Sequence, residues 1–388
     1  MALIDPPTFR AMSADSHVTE PPHCYIDRID PKYRERAPRV VRQDCGGDSF
    51  VIDGMPGAVP LGIIAAAGID PDKMRDTGVP FEDLHRGGWE GKARIADQNR
   101  DGVLAEIIYP SVGMMLCNHP DPNYKQACMW AYNGWLAEEF CAVAPDRLFG
   151  LGQTAVRSVD EAVEDLRKFK EMGFKGAMLP GNPATEFEYH DSRFDPLWRA
   201  AVELELVMSF HILTTRAEGV NPLDSLSKDS GALSHGVKTM MFGNRMISAL
   251  QDIIIQFTFG RVFERHPQLK IVLVEADAGW APHYASRLDH AWNRHRYRLG
   301  FSDMAKSPSE YFLENVYLTF QDDRVAWQTA HLMNPKRLMW ANDFPHSDST
   351  WPWSQKVLRN HARDLSDELV SAIIGGNMAE LYKINMPN

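Results

Sequence analysis

From about residue 90 onward, short continuous apolar runs alternate with longer stretches whose apolar positions recur three to four residues apart, the spacing of a half-buried helix. The helical pattern "GKARIADQNRDG" precedes the run "AEIIYPS", and the amphipathic "NYKQACMWAYNGWLAEEFCAVAP" precedes "LFGLGQTAV". "VDEAVEDLRKFKEMG", "GAMLPG", "FDPLWRAAVELE" and "LVMSFHIL" repeat the alternation. A long helix through "FGRVFERHP" leads to "KIVLVEAD", followed by "WAPHYASRLDHAWNRH", "NVYLTF", "RVAWQTAHLM" and "RLMWAND". Two more helical patterns, "WSQKVLRNHARDLS" and "DELVSAIIGGNMAELYKI", close the chain. With "RAMSAD" near the start, eight runs read as strands buried on both faces. That count predicts an α/β fold, a (β/α)8 TIM barrel. An open doubly wound sheet is disfavoured because no Gly-rich phosphate loop follows the first strand.

Two stretches break the rhythm. Residues 21–90, rich in Pro, Gly and charge, read as an N-terminal insertion with a hairpin around "SFVIDGMPGAV". Residues 214–245, after the fifth strand, are too long and polar for an ordinary connection and read as a lid. No repeat or linker divides residues 1–388, so a single domain is expected. "MISALQDIIIQFTF" is interrupted by Gln251, Asp252 and Gln256 and reads as a buried helix, not a membrane span.

Composition narrows the partners. With 44% hydrophobic and 24% charged residues the chain is globular. A formal net charge of -11 argues against nucleic acid and anionic membranes, leaving a small-molecule substrate as the expected partner. Cys24, Cys45, Cys117, Cys128 and Cys141 have no CxxC spacing and suit reduced thiols, and "MALIDPPTFR" does not read as a signal peptide. A cytoplasmic homo-oligomer is expected.

The chemistry gathers at strand ends, which a barrel brings to one mouth. Asp15 and His17 end strand one, His211 strand five, Glu275 strand six, and Asp343 strand eight, with His346 and Asp348 just beyond. Taken singly, each has a structural explanation: Asp15 and Asp343 as turn caps, His211 as a satisfied core histidine, Glu275 as the partner of Arg287, and His346 and Asp348 as loop residues. Ligand-type residues at four separate strand ends point to a metal. His266, at a helix end, and His283, His290 and His295, in one helix, are weaker candidates. Tyr109, Met114, Met115, Phe344, Trp351 and Trp353 are candidate apolar walls.

The stretches "SADSH", "SFH", "HPQLKIVLVEADAGWAPHYASRLD" and "MWANDFPHSDSTWP" resemble the amidohydrolase superfamily, in its amidohydrolase-related, decarboxylase-like branch (amidohydrolase 2). The resemblance implies a (β/α)8 barrel with metal ligands at Asp15, His17, His211 and Asp343, the last also moving a proton. Three positions depart from the usual pattern. Asp15-x-His17 replaces His-x-His, Glu275 stands where strand six usually offers histidine, and strand four has no lysine to carry a bridging carbamate. The donor set becomes harder and more anionic, suited to one or two divalent ions, Zn, Mn or Fe, with iron favoured if two. Glu275 and His346 are the further ligands of such a pair, and Asp343 and His346 the catalytic candidates. Three readings follow: a metal-dependent hydrolase or decarboxylase (C–C lyase) of a small apolar or aromatic acid or carbonyl compound, a nonheme diiron oxygenase, and a non-catalytic ligand-binding barrel.

Overall fold

A parallel strand covered on both sides needs apolar side chains on both faces of its pleat, and most of the eight runs meet that need, while the first, equally buried, carries Ser13, Asp15, Ser16 and His17. The computed structural model describes residues 9–44, 46–215 and 232–386. Strands form at Ala11–His17, Val103–Tyr109, Leu148–Gly150 with Gly152–Gln153, Gly176–Leu179, Val207–His211, Ile271–Val274, Val316–Phe320 and Leu338–Trp340. Each pairs in parallel with the next. The third strand is interrupted at Leu151, whose N–H bonds the Ile108 carbonyl at 3.3 Å. There the ladder divides into a three-stranded and a six-stranded sheet. Across the last seam, the Asp343 N–H donates to the Asp15 carbonyl at 3.1 Å and the His17 N–H to the Phe344 carbonyl at 2.7 Å. The architecture is a (β/α)8 barrel, joined at this seam by the backbone of its own candidate site.

The helix Val159–Glu171 shows why the intervening segments coil. Ser158 accepts from the Glu161 N–H, Asp160 and Glu161 sit in the first turn, and Lys168 and Lys170 sit in the last, where the helix dipole favours them. Its Ala162, Leu166 and Phe169 share one buried face. "MISALQDIIIQFTF" lies in the helix Ala232–Phe259 and buries Leu250, Ile253, Ile254 and Phe257. That helix does not continue through "FGRVFERHP" as expected. A Cβ at Gly260 would lie 2.2 Å from both the Gln256 carbonyl oxygen and His190 Cβ, and Arg261 turns left-handed at φ 62°. A separate short helix, Val262–Arg265, follows.

The insertion is more than the hairpin read from sequence. Arg39–Arg42, Asp48–Val51 and Val59–Pro60 form a three-stranded antiparallel sheet. Its Phe50, with Leu61 just beyond it, joins the apolar core of the barrel. The segment is held over the C-terminal strand ends by Ala67 N–H to the Pro345 carbonyl (3.0 Å) and Ser347 N–H to the Ile63 carbonyl (2.9 Å). Of the predicted lid, residues 216–231 lie outside the described residues, while 232–245 begin the long helix. Cys24, Cys117, Cys128 and Cys141 are free and buried, and Cys45 lies outside the described residues. Among the described residues no helix is long and apolar enough to cross a membrane.

Candidate functional site

The C-terminal ends of barrel strands converge, so side chains hundreds of residues apart meet. His17 Nε2 lies 3.3 Å from Asp15 Oδ1, 3.4 Å from Asp343 Oδ1 and 3.2 Å from His211 Nε2. His211 Nε2 is 3.5 Å from Asp15 Oδ1 and 3.7 Å from Glu275 Oε2. His346 Nδ1 stands 3.1 Å from Asp343 Oδ1 and its ring stacks on His17 with centroids 3.8 Å apart. All six predicted residues therefore come together. Their donor atoms fall into two overlapping groups that share His17 and Glu275: Asp15, His17, His211 and Glu275, and His17, Glu275, Asp343 and His346. Glu275 (φ 56°) and Asp343 (φ 53°) both adopt the left-handed backbone region, a strain of about 1 kcal/mol or more each that aims them inward.

Hydrogen bonding decides which ring nitrogens are bare. A carbonyl can only accept, so His17 Nδ1 donates to the Pro110 carbonyl (2.9 Å) and His211 Nδ1 to the Ile212 carbonyl (3.1 Å). Neutral imidazoles so bound turn unprotonated Nε2 atoms toward each other. Ser111 gives its one hydroxyl proton to the Val18 carbonyl at 2.7 Å, so at 2.8 Å it must accept from His346 Nε2–H. His346 Nδ1 is then bare as well and faces the Asp343 carboxylate. Both oxygens of Asp15 and both of Asp343 are buried with no hydrogen-bond donor. Lone pairs facing lone pairs repel unless a positive charge lies between them, and buried charges are stable only when compensated. This donor set fits a divalent cation.

Electrostatics agrees. Burial raises the Asp343 carboxyl well above the usual range, with Asp15 and Asp348 adding to it. Burial likewise raises Glu275, reinforced by Asp343 and Asp15. Burial pushes His17 and His346 down to about 3, aided by His346 and His211 respectively, which keeps both rings neutral and able to ligate.

Above the donors opens a cavity of about 960 Å³. Glu275, Asp343, His346 and Asp348 border its floor, and Met114 and Met115 its wall, as expected. The other predicted wall residues belong elsewhere. Tyr109 is fully buried beneath the site, against the His17 and His211 rings, with its hydroxyl donating to Ser209. Phe344 and Trp351 pack with Ala67 into a separate cluster, and Trp353 is 48% exposed. Glu275 faces His211. Ser111 went unnoticed in the sequence, although it follows a strand end as the other site residues do. Arg94 was also missed: fully buried, it donates to the carbonyls of His17 (2.8 Å) and Phe344 (3.2 Å) and pairs with Glu106 at 2.5 Å. Its only trace was a helix face carrying Gly91, Arg94, Gln98 and Asp101 in place of apolar residues.

The amidohydrolase family model matches residues 72–384. No curated protein sequence matches the chain. Among solved structures, an amidohydrolase of Mycobacterium avium subsp. paratuberculosis K-10 is similar at 18% identity and TM-score 0.74, covering 97% of this chain and 99% of that one. The 5-carboxyvanillate decarboxylase of Novosphingobium aromaticivorans DSM 12444, complexed with manganese, is similar at 21% identity and TM-score 0.64, with 97% of each chain covered. A dihydroxybenzoic acid decarboxylase of Polaromonas sp. JS666 with bound manganese follows at 17% identity and TM-score 0.61, again over 97% of each chain.

Proposed function

This chain belongs to the amidohydrolase family, and from that premise we propose that it is a divalent-metal-dependent carboxy-lyase of an organic acid, the same groups serving hydrolysis of a related carbonyl compound as the alternative chemistry. The observation that carries the reading is the set of four buried, donorless carboxylate oxygens on Asp15 and Asp343 facing bare imidazole nitrogens. Asp15, His17, His211 and Asp343 would hold the cation, with Glu275 and His346 alongside. A bound divalent ion supplies positive charge that draws in and polarises a carboxylate or carbonyl. The manganese in both decarboxylases named above supports this chemistry, and manganese, zinc and iron all suit a mixed carboxylate and imidazole set.

The protein's own groups do the rest. Asp343, at the cavity floor, is placed to deliver a proton to the carbon that loses CO₂. His346 Nδ1, 3.1 Å from Asp343 Oδ1, is positioned to exchange that proton, and Ser111 sets its tautomer. Met114 and Met115 keep the wall above apolar.

A second reading, a two-cation oxygenase, draws on the two overlapping donor groups and three carboxylates. One experiment separates them: metal content of protein purified without added metal, together with CO₂ release from a panel of aromatic and alicyclic acids under nitrogen and under air. About one ion per chain with O₂-independent CO₂ release is expected. Two irons per chain with turnover only in air would select the oxygenase, and a chain that takes up no divalent metal would sink both.

A further inference from the structure

Resting on the metal-centre reading, we propose that the substrate is a large, mainly hydrocarbon monoacid of multi-ring size, with its acid group at the donor cluster and its body filling the cavity above. Size is the first ground. About 150 Å³ suffices to hold a benzene ring, whereas this cavity measures about 960 Å³, at the upper end of what a drug-sized ligand fills. A single-ring acid would leave most of it to water.

The distribution of chemistry is the second ground. The floor carries the ionisable groups Glu275, Asp343 and His346, and much of the wall above is apolar, from Val59 and Ile64 of the insertion to Met115, Ile212 and Met246 of the barrel loops and the long helix, with Gln43, Ser49, Thr77 and Thr239 as neutral polar groups among them. Among the described lining residues there is no Lys or Arg, and the outer lining includes Asp44, an exposed acid. Among those residues a second carboxylate at the far end of the ligand meets like charge at Asp44 and Asp76 and no cation. Ile63 (41% exposed) and Met240 (69% exposed) border the cavity from the insertion and the helix, apolar lips left in water by the structure. Exposed apolar side chains at a cavity mouth suit an apolar ligand that covers them.

The third ground is Gly243. It lines the cavity from within the helix Ala232–Phe259, and a Cβ added there would meet nothing within 4 Å. Glycine is a poor helix former, and here its missing side chain widens the cavity. A larger residue at 243 should occupy ligand space without disturbing the fold.

The test is calorimetric titration of manganese-loaded protein with benzoate and with abietate, a tricyclic monocarboxylate. Abietate should bind on the order of 100-fold more tightly, as burial of the added rings requires. Gly243→Trp should weaken abietate by about tenfold or more, leave benzoate within about twofold, and keep manganese content and thermal midpoint, since residue 243 supplies no donor and a Cβ there meets nothing within 4 Å. Gly243→Met is the smaller companion and should weaken abietate by an intermediate factor. Benzoate and abietate binding within about threefold of each other, or both weakened alike by a folded Gly243 variant, would overturn the size inference while manganese-dependent benzoate binding leaves the metal reading standing. Abietate binding that is the same with and without manganese would overturn the placement of the acid group and the metal reading beneath it.

Discussion

A neutral imidazole has one ring proton, and the partner that takes it decides which nitrogen can serve as a ligand. For His346 that partner is Ser111, whose own proton is committed to the Val18 carbonyl. Ser111→Ala frees the His346 tautomer, and manganese affinity or turnover should drop about tenfold to a hundredfold. Ser111→Thr, which keeps the hydroxyl, should restore most of it, as measured by competition with a metal chelator. Glu20 is a separate residue-scale case. It accepts the N–H groups of Val112 (3.1 Å) and Gly113 (3.0 Å), yet burial pushes its carboxyl up to about 7, from an ordinary 4.5. Between those two pH values the folded chain binds a proton the unfolded chain has lost. Glu20 therefore contributes stability that is complete below about pH 4.5 and is lost as pH rises through about 7, on the order of 3 kcal/mol at most. Urea midpoints at pH 5 and pH 8 should show a smaller difference in Glu20→Gln than in the parent. An identical slope would mean that Glu20 does not titrate in this range.

At the scale of elements, the seam between the first and eighth strands is tied by backbone bonds and by one buried cation. Arg94, on the helix Gly91–Asp101, reaches the carbonyls of His17 and Phe344, one on each side of the seam. Its charge is balanced by Glu106 of the second strand, which also accepts from Gln98 at 2.8 Å. Arg94→Met leaves Glu106 buried without its counter-charge and should cost about 3–5 kcal/mol. Adding Glu106→Gln should recover part of that loss, as read from denaturant midpoints of the two variants. Equal stability for the single variant and the parent would show that the backbone bonds alone hold the seam.

At the scale of the whole molecule, the donor cluster is a concentration of uncompensated negative charge at the mouth of an already acidic chain. A cation that binds the folded form alone stabilises it by RT ln(1 + [M]/Kd), about 4 kcal/mol at a thousandfold excess over Kd. Removing metal with a chelator should therefore lower the thermal midpoint, and added manganese should restore it. The effect should vanish in Asp15→Asn/Asp343→Asn, which removes the donorless carboxylates. A midpoint indifferent to chelator and manganese in the parent would argue that no cation contributes to the fold. Residues of the insertion and of the helix Ala232–Phe259 line the cavity over this same cluster, joining substrate size to elements outside the barrel strands.

Eight apolar runs and the helical periodicity between them were enough to determine the barrel, because strand burial and helix amphipathicity are local patterns that each segment carries in its own residues. The same topology brings strand ends together, so the meeting of Asp15, His17, His211, Glu275, Asp343 and His346 was legible in the sequence. The break at Gly260 and Arg261 was not, since it depends on a close approach to His190, about seventy residues away. Nor could the pattern reveal that Ser111 sets the His346 tautomer, that Arg94 bridges two strands, or that Phe344 and Trp351 turn away from the mouth to pack on Ala67. Those facts rest on hydrogen-bond directions and packing between segments distant in sequence, for which no local periodicity exists. Cavity size belongs to the same class. It is what remains between the insertion, the long helix and the barrel once all three are in place, and only the tertiary structure decides it.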